Sequence, residues 1–423
     1  MEEKRRNRRN LVQNVLITLL ALSAVVLFTR TQLYSLDLSG GETAAPGPSQ
    51  SSSPAAELSA PVRVAVTGDY GRYGSVTLTT GDSGFADPLG RRLLEALGSA
   101  RDYAPCVPAD FLRALEGPSL YYDFLEPLPL SVLAGVLGGG EEVSPREDLS
   151  ARRLLIAPQE SGAALYLWDG GDTCFRAATA VSADSLEQVI GRYELGDASF
   201  AMEAAADSPA LALDPCSLLP GELPQLPAFT LGTPLAGGTE WLLSALGFNP
   251  RSGTRHTESN GTELIMDGDR SLRIRPDNSV RYQSGDDPSL SVKAAGELPT
   301  AREAALGAGA LLGGLFSPVL GEAQLWLQGV RRSGETTVLR FGYQAGGVPI
   351  RFQDAGFAAE VTLTGTAVTA LTLRFRQYGL SEERSLLLPL PQALAVAAAV
   401  PGKELSVGYV ERNGECRACW LSD

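Results

Sequence analysis

Two cysteines near the end of the chain, Cys416 and Cys419 in the stretch GECRACW, have the C-x-x-C spacing that serves several chemistries. A structural zinc site needs four ligands, usually two such pairs or a pair with histidines. Cys106, Cys174 and Cys216 stand alone in the sequence, and the single histidine, His256, is distant. A redox pair sits at a helix N-terminus, where the dipole favours the thiolate. Only Trp420, Leu421, Ser422 and Asp423 follow Cys419, too few for such a helix. The spacing therefore predicts the edge strand that closes the last sheet, with Trp420 packed against it. An oxidising compartment leaves a second reading, a disulfide between Cys416 and Cys419. Five cysteines cannot all pair within one chain.

Other motifs are weaker. The GDSG of residues 81–84 has the form of a protease nucleophile loop, but a nucleophilic serine needs a base within reach, and that fold places its histidine before the serine. A turn accounts for it. GAGALLGG, residues 307–314, is one residue too long for a dinucleotide loop and lies in an alanine-rich helix, so close helix packing is expected. Asn260-Gly261-Thr262 fits a glycosylation acceptor and reads as a loop, and His256 as a solvated loop residue. Carboxylates are scattered, and no pair of acids can be placed in one site. No complete catalytic set is legible, so a non-enzymatic protein without metal or cofactor is expected.

The elements that position these residues begin with a basic tail. Residues 1–10 carry Lys4, Arg5, Arg6, Arg8 and Arg9, and residues 11–29 follow without a charge. That run is close to the ~20 residues a helix needs to cross a bilayer, and basic residues before it favour a cytoplasmic N-terminus. Arg30, Gln32, Leu33 and Tyr34 are poor cleavage residues, so an uncleaved anchor is expected rather than a signal peptide. Its polar members Gln13, Asn14, Thr18 and Ser23 either sit at the headgroups and bond their own backbone, or form a stripe against another membrane helix. Residues 30–60, rich in Gly, Ser and Pro, read as a flexible linker.

The chain has 423 residues, more than one core usually serves, so two or three domains are expected beyond the linker. Runs of alternating strands separated from runs of amphipathic helices predict α+β, with mainly antiparallel sheets and packed helices. The segments are an N-terminal α+β domain over 61–235, a middle one over 236–300 and a C-terminal one over 301–423. DSLEQVIGRYEL is a helix with Asp184 as its expected N-cap. The net charge of −14 repels phosphate backbones and argues against nucleic acid as a partner.

Several stretches together resemble a known family. FGYQAGGVPI (341–350) is similar to an aromatic strand leading to G-x-P-[IV]. The hairpin AEVTLTGTAVTALTLRFRQY, the helix LPLPQALAVA and the closing GYVERNGECRACW follow in the same order. LRIRPDNSVRYQS resembles the family's hairpin, and FLRALEGPSLYYDFLEPLPLSVLAGVLG its first domain. With the basic tail, single anchor and linker, the chain resembles the YycH/YycI regulators of the WalK (YycG) sensor kinase, and its length favours YycH. It departs from the family at RACW, where proline-alanine-tryptophan is usual, and at Asn278-Ser279 in place of a glycine. The resemblance implies a single-pass cell-membrane protein whose bulk lies outside the cytoplasm. It implies action on a sensor histidine kinase, beside a sister YycI-like protein, through membrane-helix and outer-domain contacts. The alternatives are an envelope module binding a peptide or cell-wall fragment, and an envelope hydrolase using scattered acids.

Overall fold

The computed structural model describes residues 63–422, apart from 69–72, 77–84, 141–145, 147, 161, 250–253 and 413. The tail, the apolar run 11–29 with Gln13, Asn14, Thr18 and Ser23, the linker and the GDSG turn lie outside the described residues. Among the described residues no helix is long and apolar enough to cross a membrane.

The body is a sheet-rich α+β structure with two large sheets. The first takes β1 (Arg63–Thr67), β2 (Tyr73–Val76), β3 (Arg101–Cys106), β4 (Ser119–Pro129), β5 (Ser150–Gln159), β6 (Gly162–Trp168), β7 (Cys174–Ala178), β8 (Ala198–Phe200) and β9 (Leu218–Pro220). Their spatial order is β3-β7-β6-β5-β4-β1-β2-β8-β9. Helices α1 (Arg91–Ser99), α2 (Pro108–Leu115), α3 (Leu130–Val136) and α4 (Ala183–Ile190) lie between these strands in the chain.

The second sheet takes the rest: β10 (Pro227–Gly232), β11 (Thr254–Thr257), β12 (Glu263–Asp267), β13 (Arg270–Ile274), β14 (Ser279–Gln283), β15 (Ala323–Ser333), β16 (Thr336–Ala345), β17 (Val348–Arg351), β18 (Ala359–Thr364), β19 (Ala367–Arg374), β20 (Gln377–Arg384), β21 (Leu405–Arg412) and β22 (Glu415–Ser422). Its order is β11-β12-β13-β14-β19-β18-β16-β17-β21-β22-β10-β20, with β15 on the other edge of β16. Helices α5 (Glu240–Ala245), α6 (Ala301–Phe316) and α7 (Leu390–Ala397) belong to this half of the chain. The pairing of β17 with β21 is parallel. The other named pairs are antiparallel, as the strand-after-strand pattern predicts.

The segment boundaries expected from composition do not coincide with the sheets. β10, placed within 61–235, pairs with β20 and β22 of the second sheet. β14 of the expected middle segment pairs with β19 over five residues, so 236–300 and 301–423 share one sheet. Proline-rich stretches mark breaks in local structure, but strand pairing is decided by distant partners.

The first sheet is covered on both faces. Val64, Val66, Leu120, Tyr122, Leu154 and Ile156 bury into the main core, while Ala65, Tyr121, Leu155 and Phe111 of α2 form a second cluster behind. Alternate residues of a strand point to opposite faces. A sheet buried on both therefore reads as apolar runs such as RRLLIA rather than as clean alternation. Phe111 is fully buried among Tyr121, Tyr166 and Trp168, with ring centroids 6.4, 6.5 and 5.4 Å away. Burying such a ring stabilises by about 2–3 kcal/mol.

The main core runs without a break into the second half, through α3 and α6. Every residue of α3 is buried. In α6 the buried positions Ala304, Ala305, Ala308, Leu312, Leu315 and Phe316 recur at helical spacing. A capping box starts that helix: Thr300 Oγ1 accepts from Glu303 N (3.1 Å), and Glu303 Oε2 accepts from Thr300 N (2.8 Å). Gly307 sits where a Cβ would meet Val292 at 2.6 Å, the close packing expected of GAGALLGG, whereas Gly313 and Gly314 at the end of the stretch have open space around them. In α4 the N-cap is Ser182, whose side chain accepts from Ser185 N at 3.2 Å, while Asp184 lies in the first turn. The helix starts two residues earlier than the apolar pattern indicates. Strand β3, absent from the sequence reading, has little burial to announce it.

Candidate functional site

The most unusual chemistry in the molecule is a buried cluster of charges where the two sheets meet. β1, β4 and β5 lie side by side, and their registers set Arg63 opposite Asp123 and Asp123 opposite Arg153. Asp123 and Arg153 are fully buried, a rare state for either residue unless paired. Arg152, next to Arg153 on β5, donates from Nε to Asp123 Oδ1 (3.1 Å) and from Nη2 to Asp123 Oδ2 (3.3 Å). Arg63 Nη1 stands 3.6 Å from Asp123 Oδ2, and Arg153 Nε 3.8 Å from the same oxygen.

Two further carboxylates come from far along the chain. Arg153 Nη2 donates to Asp214 Oδ2 (3.1 Å) and to Glu404 Oε2 (3.2 Å). Glu404, just ahead of β21, also pairs with Arg63 and Arg152. Three guanidiniums thus face three carboxylates, and the Arg153 guanidinium lies over the Trp168 ring, 4.9 Å from its centroid. Planar, permanently charged guanidinium suits such multiple pairing.

The backbone beside this cluster is strained. Leu125 has φ of 65°, in the left-handed region that a leucine enters at a cost of ~1–3 kcal/mol. The register of β4 against β5 shifts between Asp123 and Leu128, and Leu125 N donates to Asp123 Oδ1 (2.8 Å) across the bulge. The bulge pushes Leu125 against Trp326 of β15, so one irregularity both fixes the central carboxylate and touches the second sheet.

Electrostatics keep Asp123 ionised. Burial pushes the Asp123 carboxyl up, but the guanidiniums of Arg152, Arg63 and Arg153 outweigh burial and hold it well below the usual carboxylate range. The adjacent Cys216 thiol is pushed by burial up to about 12 and stays neutral. The arrangement is that of a charge-balanced clamp: its carboxylates are engaged as acceptors, and it ties Arg153 to Glu404, 251 positions away along the chain. Sequence reasoning missed it. The signal was present in YYDFL and SARRLLIA, where charges interrupt apolar strands, but the partner Glu404 has no local mark.

A second polar network lies inside the second sheet and absorbs the aromatic motifs. Tyr343 OH donates to Arg374 O (2.6 Å) and accepts from Arg376 N (3.1 Å). Tyr378 OH donates to Glu411 Oε1, and Arg376 Nε to Glu411 Oε2 (3.3 Å). Tyr343 and Tyr378 rings lie 5.3 Å apart, and Phe229 is 5.1 Å from Tyr409. The tyrosines of FGYQAGGVPI, RFRQY and GYVER are thus core residues with their hydroxyls satisfied.

The residues singled out from sequence are placed as follows. Cys416 and Cys419 are three positions apart on β22, hence on opposite faces of the sheet, and all five cysteines are free thiols in this structure. Cys416 is fully buried, while Cys419 is half-buried. Nor is β22 an edge strand: it pairs with β21 along its length, and with β10 through Phe229–Cys416 and Thr230–Glu415. The proline-rich segment that supplies β10 gave no sign of returning to the chain's end. Trp420 packs beside α7, its Nε1 donating to Leu388 O (2.8 Å). His256 is exposed on β11, an outer strand rather than a loop. Asn260 stands in the turn before β12, its Oδ1 accepting from Thr262 N (2.9 Å). Among the described residues no group of three His, Cys, Asp or Glu side chains is placed to hold a metal ion.

Of the eight large apolar side chains exposed among the described residues, five fall within the sequence span 380–400. Leu380 on β20, Leu386 and Leu388 in the loop after it, and Val396 and Val400 on and after α7 are all exposed, Leu386 at 93%. β20 is the terminal strand of its sheet. Compared with known protein families, curated proteins and solved structures, the chain matches none.

Proposed function

We propose that this chain is a non-enzymatic, membrane-anchored regulatory protein, similar to YycH, that acts on the outer part of a sensor histidine kinase beside a sister YycI-like protein. Residues 11–29 cross the cell membrane once, 1–10 stay in the cytoplasm, 30–60 form the linker, and the two-sheet body lies outside. The observation that carries the reading is the exposed apolar group Leu380, Leu386, Leu388, Val396 and Val400. Large apolar side chains left in water and concentrated in one stretch of chain are candidates for a contact with a partner. Two of the stretches that carry the resemblance, LPLPQALAVA and CRACW, meet at this same end through the Trp420–Leu388 hydrogen bond.

The mode of action is a shift in populations. A partner that contacts one kinase state better biases it by the difference in contact energy, typically ~1–3 kcal/mol. In this reading the membrane helix, with Gln13, Asn14, Thr18 and Ser23, supplies one contact and the exposed apolar residues of 380–400 the other. The clamp ties β5 of the first sheet to Glu404, just ahead of β21 of the second, so the two sheets of the body move together.

A second reading is an envelope peptide-binding module, since the terminal strand β20, beyond Tyr378 where Leu320 and Glu322 already bond it, offers an edge to which an extended peptide can add. Crosslinking in intact membranes followed by pull-down separates the two. The full chain should recover a histidine kinase, and the variant Leu386→Asp with Leu388→Asp should recover at least ~10-fold less at unchanged Tm, the loss expected when two apolar anchors become charged. Recovery of wall enzymes or peptides alone, with no kinase, would overturn the regulatory reading.

A further inference from the structure

The first sheet ends on a strand that little holds in place. β3 is mostly exposed, so burial contributes little to its position. Its pairing with β7 is irregular: the register shifts between Arg101 and Ala104, and Asp102 has φ of 56°. Pro105 removes one amide donor from the ladder. Yet at its last residue β3 sets Cys106 directly opposite Cys174. Opposed residues of an antiparallel pair have Cα atoms ~4.5–5.5 Å apart, inside the ~4.4–6.8 Å window of a disulfide. The two sulfurs point at one another, 2.7 Å apart. Of the five cysteines, these two are in direct sulfur contact, although 68 positions separate them and neither has a spacing motif.

We propose that Cys106 and Cys174 form a disulfide that staples the edge strand β3 to β7. The oxidant is a disulfide of the small-molecule or oxidoreductase class. Cys106, the more exposed thiol, attacks it as the thiolate, forming a mixed disulfide and releasing one thiol. Cys174, only 3% exposed, then attacks the Cys106 sulfur and releases the second thiol. Two S–H bonds are lost, one S–S bond forms, and the oxidant takes up the two electrons and two protons as two thiols. Burial pushes both thiols up, so the reaction is slow near neutral pH and faster in mild alkali. The closed loop contains β4, β5 and β6, and with them Asp123, Arg152 and Arg153 of the clamp. This inference stands apart from the proposed function, because the bond depends on an oxidant and not on the partner.

The test uses the full chain in detergent. The protein is incubated with glutathione disulfide at mildly alkaline pH, free thiols are blocked with N-ethylmaleimide in denaturant, and trypsin is added without reductant. Cys106 then falls in residues 102–113 and Cys174 in 154–176. The expected result is these two peptides linked, with Cys216, Cys416 and Cys419 blocked. Wild-type Tm should drop by ~5 °C or more on reduction, and Cys106→Ser with Cys174→Ala should not respond. Blocked Cys106 and Cys174 after oxidation, either one linked to a different cysteine, or an equal Tm response in the double variant would each overturn the proposal.

Discussion

Asp123 is a buried carboxylate shared by three guanidiniums, those of Arg63, Arg152 and Arg153. Replacing it with Asn keeps its shape but leaves Arg63, Arg152 and Arg153 facing one fewer carboxylate in a dry site. Uncompensated buried charge is costly, so Asp123→Asn should lower unfolding free energy by ~3–5 kcal/mol, read from the urea midpoint. A change below ~0.5 kcal/mol, the range of ordinary surface substitutions, would show that the clamp contributes nothing. The same residue sets a pH dependence. Its folded pKa is depressed, so its contribution is fully present above the ordinary carboxylate value of about 3.9 and fades as pH falls below it. Acid titration of stability should therefore show a wild-type loss below about pH 4 that Asp123→Asn lacks. The sequence displayed the charges, Asp in an apolar run and Arg152-Arg153 in another. It could not display that Glu404 completes them, since that contact exists only after both sheets form.

At the scale of elements, the junction between α3 and α6 is the most exposed to mutation. Gly135 lies where a Cβ would meet Arg302 Cγ at 2.8 Å and Nε at 2.9 Å, and the Arg302 guanidinium is tied to the carbonyls of Gly139 and Gly140. Alanine there gains less than ~1 kcal/mol of helix propensity against an overpacking cost of ~1–3 kcal/mol. Gly135→Ala should be net destabilising, and a raised Tm would contradict that geometry. At the other end of the same contact, Thr300→Ala removes half of the capping box and should cost about 1 kcal/mol in chemical denaturation, with the fold intact. Helices such as α6 were legible because capping chemistry and apolar spacing are local. β3 was not, because an exposed edge strand has no periodic burial to imprint on its sequence.

For the whole molecule, the two sheets share a core, a helix–helix contact and a set of ion pairs. Elements coupled in this way unfold together. Thermal unfolding of the two-sheet body should show one transition, with probes in the first sheet (Trp168) and in the second (Trp326) changing at the same temperature. Two transitions separated by more than several degrees would mean that the clamp does not join the sheets energetically. The same coupling explains why composition suggested three segments. Prolines and glycines at 215–237 and 285–300 interrupt local structure, but β10 crosses to β20 and β22, and β14 to β19.

The amino-acid sequence alone determined what neighbouring residues decide: alternating and apolar runs that make strands, helical spacing, caps and turns, and hence an α+β chain built of antiparallel sheets. It also set the chemical inventory, one histidine and five cysteines. Tertiary structure alone decided which distant residues meet: Arg153 with Glu404, Cys106 with Cys174, Leu125 with Trp326. The reason is physical. Local preference depends on side chains a few positions apart, whereas a buried charge or a thiol acquires its chemistry from a partner brought into reach by strand register and sheet packing.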